Sequence, residues 1–194
     1  MLGSFSATAR IQRIAKATFD LHELPVILDR MRHQLCEDAL LAYDYLAGQP
    51  FVDKKRIGIA GKSFGGYMAA LVSEKRKVKS MVLQAPAVYP DGWFDKPYLL
   101  SEEIKQERLR YRISQEALNN RAISAIKQYT NPLLIIGSEF DNICPEHVVE
   151  GYYNNAASTK KGLRWIKGAD HALIDEQHNQ EYTRMMVDWF KETL

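Results

Sequence analysis

An α/β fold with a mostly parallel sheet and flanking helices is predicted for these 194 residues, and three observations predict it. Short, nearly continuous apolar runs recur along the chain, as in strands covered on both faces. Longer amphipathic segments lie between them, and strands alternating with helices imply right-handed crossovers. The composition is that of one globular domain: 46% of residues are hydrophobic and the net charge is +2, which excludes a disordered chain.

The elements follow in order. Leu28, Met31, Leu35, Ala39, Ala42, Tyr43 and Leu46 fall at three- and four-residue steps and predict a helix over about Asp29 to Ala47. Arg56 to Ala60 (RIGIA) reads as a strand, Gly66 to Arg76 as a helix, and Val78 to Gln84 as the next strand. Residues 93–129 break the rhythm with two polar helical segments, Leu100 to Ile113 and Gln115 to Tyr129. Ser101 is the N-cap of the first, with Glu102 and Glu103 well placed in its opening turn. This small helical insertion reads either as a lid over a site or as a surface crossover. Pro132 to Gly137 is the third strand, and Pro145 opens a helix carrying Val148, Val149, Tyr152 and Tyr153. Leu163 to Lys167 is the last strand, and Tyr182, Met185, Met186, Trp189 and Phe190 stripe a C-terminal helix.

Charge and cysteine content exclude several function classes. Lys plus Arg total 26 against 24 Asp plus Glu, so no broad basic field exists for nucleic acid. No apolar run reaches the roughly 18 residues of a membrane span. Met1 to Arg10 contains nothing like a secretion signal, so a cytoplasmic location is expected. Cys36 and Cys144 are too few for a disulfide scaffold or a cysteine zinc site. His171, Asp175 and His178 match no metal-ligand motif, and no metal is expected.

Gly61-Lys62-Ser63-Phe64-Gly65-Gly66 contains G-x-S-x-G between a predicted strand and a predicted helix. Chemistry explains the spacing. A serine on so sharp a turn has a strained backbone, flanking glycines remove side chains that would clash, and the turn lifts the hydroxyl clear of the sheet. The backbone N–H of Phe64 then points where an oxyanion would develop, at a helix N-terminus that favours negative charge.

A serine needs a base, and the base needs an orienting carboxylate. Asp141 follows the third strand and His171 follows the fourth, so Ser63, Asp141 and His171 occupy three strand ends in the order Ser, acid, His. Glu139 is a rival acid, and Asp141 also reads as a cap before Pro145. His22 and His33 precede the turn, while His147 and His178 lie on or near predicted helices. Cys144 reads as a buried thiol, since no glycine pair surrounds it. Phe64, Tyr67, Tyr89, Trp93, Phe94 and Tyr98 gather around the turn and the following loop. They read either as an apolar acyl pocket, with Tyr89, Trp93 and Phe94 binding substrate, or as packing.

VDKKRIGIAGKSFGGYMAA (Val52 to Ala70), NPLLIIGSEFDNICP (Asn131 to Pro145) and IKGADHALIDE (Ile166 to Glu176) carry a resemblance. From about Asp29 onward the chain is similar to α/β-hydrolases of the dienelactone-hydrolase and prolyl-oligopeptidase-like group. The resemblance implies a serine hydrolase acting without a cofactor on a small ester, thioester or short peptide. It makes Ser63 the nucleophile, Asp141 the acid, His171 the base and Phe64 an oxyanion donor. A catalytically weak or inactive hydrolase-like binding module is the alternative.

Such enzymes place three or four strands, and a loop giving a second oxyanion donor, before the nucleophile. Here Gly3-Ser4-Phe5-Ser6 only weakly resembles that loop, and Ala17 to Leu21 (ATFDL) only weakly resembles a strand. The front of the fold is therefore expected to be truncated. The Arg56 to Ala60 strand would then have an open edge, and a homodimer through the N-terminal region is expected.

Overall fold

The computed structural model describes residues 31–97 and 101–194. Four strands, β1 (Gly58–Lys62), β2 (Ser80–Gln84), β3 (Leu133–Phe140) and β4 (Lys161–Asp170), form one parallel sheet in the order β1-β2-β3-β4. The helices are α1 (Arg32–Gly48), α2 (Phe64–Lys75), α3 (Glu102–Ile113), α4 (Arg121–Ile126), α5 (Glu146–Asn155) and α6 (Glu176–Thr193). The fold is α/β, with every strand beside its predecessor and a crossover between them.

Two apolar layers hold it together. On one face Leu35 of α1, Met68 and Leu71 of α2, Ile123 of α4 and Val148 and Tyr152 of α5 close over Met81, Leu83, Leu133 and Ile135. On the other face Met186, Val187 and Phe190 of α6 cover Val82, Leu134, Ile136 and Ile166. The central strands are apolar on both sides because both sides are covered: all five residues of β2 are buried, as are the first six of β3.

Several boundaries differ from the sequence expectation, each for a local reason. β1 starts at Gly58 rather than Arg56, because the Asp53 carboxylate accepts from Lys55 N (2.9 Å) and folds Lys54–Arg56 into a 3₁₀ turn. Strand β2 begins at Ser80 rather than Val78. β3 and β4 run on to Phe140 and Asp170 because they keep pairing past an irregularity at Ser138/Phe140. The segment Gln115 to Tyr129 is not one helix: Gln115–Leu118 is a 3₁₀ turn, and Asn120 starts α4 by accepting from Ala122 N and Ile123 N. Ser101 caps α3 through Ile104 N at 3.4 Å. Ala122, Ile123, Ala125 and Ile126 are buried, so α4 packs as a crossover between β2 and β3. Asp29, Leu100 and the segments Gly3 to Ser6 and Ala17 to Leu21 lie outside the described residues.

Because all four strands point the same way, the turns that follow them share one edge of the sheet. Ser63, Asp141 and His171 come directly after β1, β3 and β4. Among the described residues no helix is long and apolar enough to cross a membrane.

Candidate active site

Ser63 is the single residue between β1 and α2, and it turns the chain with φ 51° and ψ −115°. Positive φ is strained for a residue with a Cβ, so the neighbours must impose it. Ser63 N donates to Gln84 O (2.9 Å), while Ser63 O accepts from Gly66 N (3.0 Å), Tyr67 N (3.2 Å) and Ala87 N (3.0 Å). The glycines allow close approach: a Cβ on Gly61 would lie 2.3 Å from Gly65 O, and one on Gly66 would lie 2.9 Å from Pro86 Cβ.

The hydroxyl so presented meets a histidine. Ser63 Oγ lies 2.8 Å from His171 Nε2, and His171 Nδ1 lies 2.7 Å from Asp141 Oδ2. The His171 side chain is 13% exposed and that of Asp141 3%, so water competes little for either bond. The Asp141 loop braces its own carboxylate. Oδ1 accepts from Ile143 N and Cys144 N, each at 2.8 Å, which leaves Oδ2 for the imidazole. With Nδ1–H donating to Asp141, Nε2 is an acceptor for the Ser63 hydroxyl.

The rival acid is engaged elsewhere. Glu139 is exposed and accepts from Gly168 N at 2.7 Å. Asp170 is likewise used locally, accepting from Ile174 N (3.1 Å) across a tight turn in which Leu173 has φ 53°. Lys62 clamps the same turn by donating from Nζ to Ala172 O. Burial lowers the Lys62 pKa, with the nearby Asp170 and Asp141 carboxylates pulling the other way. Cys144 is fully buried, and burial pushes its thiol up to about 11. A hydrogen bond with Ser63 opposes part of that rise. The thiol therefore stays protonated beside the serine and is no rival nucleophile. Among the described residues no cluster of three metal-ligating side chains occurs.

The aromatic candidates separate by burial. Tyr89 and Trp93 are buried, and Arg32 stacks on both at 4.9 and 5.2 Å. Arg112 lies 5.2 Å from the Tyr89 ring. These two rings brace the layer behind the site. Phe64, half-buried, packs edge-on against Tyr89 at 5.7 Å. Phe94 keeps part of its ring exposed, with the Arg121 guanidinium 3.7 Å from its centroid. Sequence reasoning missed the exposed apolar residues of the site edge: Phe140 (69% exposed) and Ile143 (43%) flank Asp141, and Ile174 (82%) follows His171. Their signal was present, since Ile143 and Ile174 are apolar in loops and Phe140 is apolar at the exposed end of β3, where solubility favours polar residues.

A hydroxyl bonded to an imidazole, itself bonded to a buried carboxylate, can pass its proton to the ring while attacking a carbonyl carbon. The amide of Phe64 is the first of α2 and lies outside that helix's own ladder, at its positive end.

Comparison with known proteins agrees with this architecture. Dienelactone hydrolase from Anabaena variabilis superposes with a TM-score of 0.64 at 18% identity, covering 98% of this chain and 81% of its own. Est1E from Butyrivibrio proteoclasticus gives 0.61 at 18% identity, covering 98% of this chain and 85% of its own. A putative dipeptidyl aminopeptidase IV from Bacteroides ovatus gives 0.62 at 20%, covering 86% of this chain but 23% of that much longer one. These likenesses show the α/β-hydrolase fold. Inactive dipeptidyl peptidase 10 from Rattus norvegicus is 38% identical over 52 residues, 26% of this chain and 6% of the rat protein's length. The prolyl oligopeptidase family profile matches residues 26–194, and the chain belongs to that family.

Proposed function

We propose that this protein is a serine hydrolase that cleaves a carboxylic ester, thioester or amide through an acyl-enzyme on Ser63. The observation that carries the reading is the continuous chain of hydrogen bonds Ser63–His171–Asp141, at 2.8 and 2.7 Å, on a strained strand-to-helix turn. Ser63 Oγ attacks the substrate carbonyl carbon while His171 Nε2 takes its proton. Asp141 holds the imidazole and stabilises the imidazolium that forms. The negative charge on the carbonyl oxygen is met by the Phe64 N–H at the start of α2. His171 then protonates the leaving group, the acyl-enzyme forms, and a water deprotonated by His171 attacks it to release the acid. Atoms and charge balance with no cofactor.

Phe140 and Ile143, on either side of Asp141, and Ile174, three residues past His171, offer exposed apolar surface, which favours an apolar acyl group on a small substrate. Tyr89 packs edge-on against Phe64, the residue after Ser63. A cytoplasmic location accords with the two free, buried cysteines, Cys36 and Cys144. The test is turnover of an activated short-chain ester by the wild type and by Ser63→Ala. Loss of hydrolysis in a variant with unchanged circular dichroism supports the proposal; wild-type turnover in that variant removes it. If the wild type itself has no turnover, the chain is the inactive binding module.

A further inference from the structure

Helix α3 turns arginines, rather than a purely apolar stripe, toward the body of the protein. Its buried residues are Arg108 and Arg112, one turn apart on the same face, with Ile104 and Tyr111 partly buried beside them. Arg108 Nε stays on its own helix, 3.4 Å from Ile104 O. Arg112, 4% exposed, reaches across. A guanidinium stays charged in a folded protein, and burying one is costly unless its N–H groups are bonded. Arg112 Nη1 donates to Ile143 O at 2.9 Å, and Nε lies 3.5 Å from Val88 O in the loop after β2. Its Cζ lies 5.2 Å from the centre of the Tyr89 ring, which packs edge-on against Phe64. One side chain of the 93–129 insertion thus touches the loop of the candidate acid and the ring that backs the residue after Ser63.

The carbonyl that Arg112 takes is tied to the acid. Ile143 O and Cys144 N are the two ends of one planar peptide unit and point in opposite directions. Cys144 N donates to Asp141 Oδ1 at 2.8 Å. The guanidinium cation therefore sits at the oxygen end of this peptide and the carboxylate at its N–H end, and both charges favour the same orientation of the same dipole. Burial chiefly sets the pKa of the Cys144 thiol, and the charges of Arg112 and then Asp141 act on it next, which places both beside this peptide. From Asp141 the hydrogen bonds continue through His171 Nδ1 (2.7 Å) and from His171 Nε2 to Ser63 Oγ (2.8 Å). Asp141 Oδ1 has two backbone donors, Ile143 N and Cys144 N. A rotation of the Ile143–Cys144 peptide would remove the second and let the carboxylate turn away from the imidazole.

We infer that Arg112 is a positioning residue of the candidate site, holding the Asp141 carboxylate toward His171 through the Ile143–Cys144 peptide. This role deepens the serine-hydrolase reading and rests on it, and it gives the helical insertion the task of bracing the acid. The test is steady-state hydrolysis of an activated short-chain ester by Arg112→Met, Arg112→Lys and Arg108→Met, with thermal melts. Proton NMR of each follows the downfield resonance of the His171 Nδ1 proton bonded to Asp141. Arg112→Met lowers kcat roughly 10- to 100-fold with KM changed less than about twofold, and the resonance is lost or moves upfield. Arg112→Lys keeps a cation with a donor at its tip and recovers part of both. Arg108→Met, which loosens the same helix, lowers the melting temperature and leaves kcat within about twofold. In an Asp141→Asn background Arg112→Met costs less than about threefold, because the group it acts through is gone. An equal Arg112→Met effect in both backgrounds, or wild-type kcat and resonance in Arg112→Met, makes Arg112 a structural anchor only and overturns the inference. Should Arg112→Met not fold, the same cycle with Arg112→Gln, neutral but still hydrogen-bonding, is read by the same rule. The resonance needs no turnover. A wild type that shows it but hydrolyses nothing removes the hydrolase reading, and the variant spectra then decide the role of Arg112 alone.

Discussion

Replacing Gly61 by alanine tests the turn on which the candidate site is built. A Cβ there would sit 2.3 Å from Gly65 O, 2.6 Å from Gly65 C and 2.7 Å from Gly66 N, all backbone atoms of the first turn of α2. Ordinary contact begins at 3.4 Å, so β1 and α2 must separate by about 1 Å. No side chain can rotate away to absorb it. Overpacking of this kind costs about 1–3 kcal/mol of stability, and a shift near 1 Å at a reacting group costs roughly 10²-fold in turnover. For a chain of this size the stability term lowers the melting temperature by roughly 2–12 °C. Gly66→Ala meets Pro86 Cβ at 2.9 Å and Pro86 Cα at 3.0 Å, a milder conflict, and should fall between Gly61→Ala and wild type. Gly92→Ala, with nothing within 4 Å, serves as the neutral control. The assay is turnover of an activated ester together with a thermal melt of all three variants. Wild-type turnover and melting temperature in Gly61→Ala would refute the argument that the turn is held by backbone contact.

Three further outcomes follow from the same geometry. Asp141→Asn removes the charge that holds the imidazole and should lower turnover on the order of 10³- to 10⁴-fold. Glu139→Gln, which only touches Gly168, should change turnover by no more than roughly threefold; the reverse ranking in steady-state assays would reassign the acid. Lys62→Met releases the Ala172 carbonyl beside His171 and should cost roughly tenfold in kcat with KM little changed, part of it recovered in Lys62→Arg. Equal kinetics in all three proteins would show that the clamp positions nothing. The Cys144 thiol is held up to about 11 by burial, so the folded state keeps a proton that the unfolded chain loses above about 9. Stability is therefore full below the unfolded value and falls as pH rises from about 9 to about 11. The loss is about 2–3 kcal/mol relative to Cys144→Ala, measured by urea unfolding across that range. Parallel curves for the two proteins would contradict it.

The site was more legible in the sequence than the surroundings that hold it, and the reason is range. The turn at Ser63 is written within six residues, by glycines that a side chain would push against neighbouring backbone, and Asp141 and His171 each follow their strand directly. What the sequence left open was decided by partners far along the chain. Asp141 is the favoured acid in the sequence, but Glu139 stays a rival until Gly168, 29 residues away, is seen to take it and His171 to take Asp141. Tyr89 and Trp93 read as pocket residues because nothing nearby shows that Arg32 will stack on them from the start of α1. The lengths of β3 and β4 likewise depend on each other's pairing, while the break at Asn120 was a local cap signal passed over in a polar helical stretch.

The central claim is that Ser63 is a nucleophile activated by His171. Its most direct measurement is intact-mass and peptide mapping after treatment of the folded protein with a fluorophosphonate probe, beside Ser63→Ala and His171→Ala. Stoichiometric phosphonylation confined to the peptide containing Ser63, absent in Ser63→Ala and greatly slowed in His171→Ala, is the predicted result. No adduct on the folded wild type, or an adduct on another residue, would contradict it.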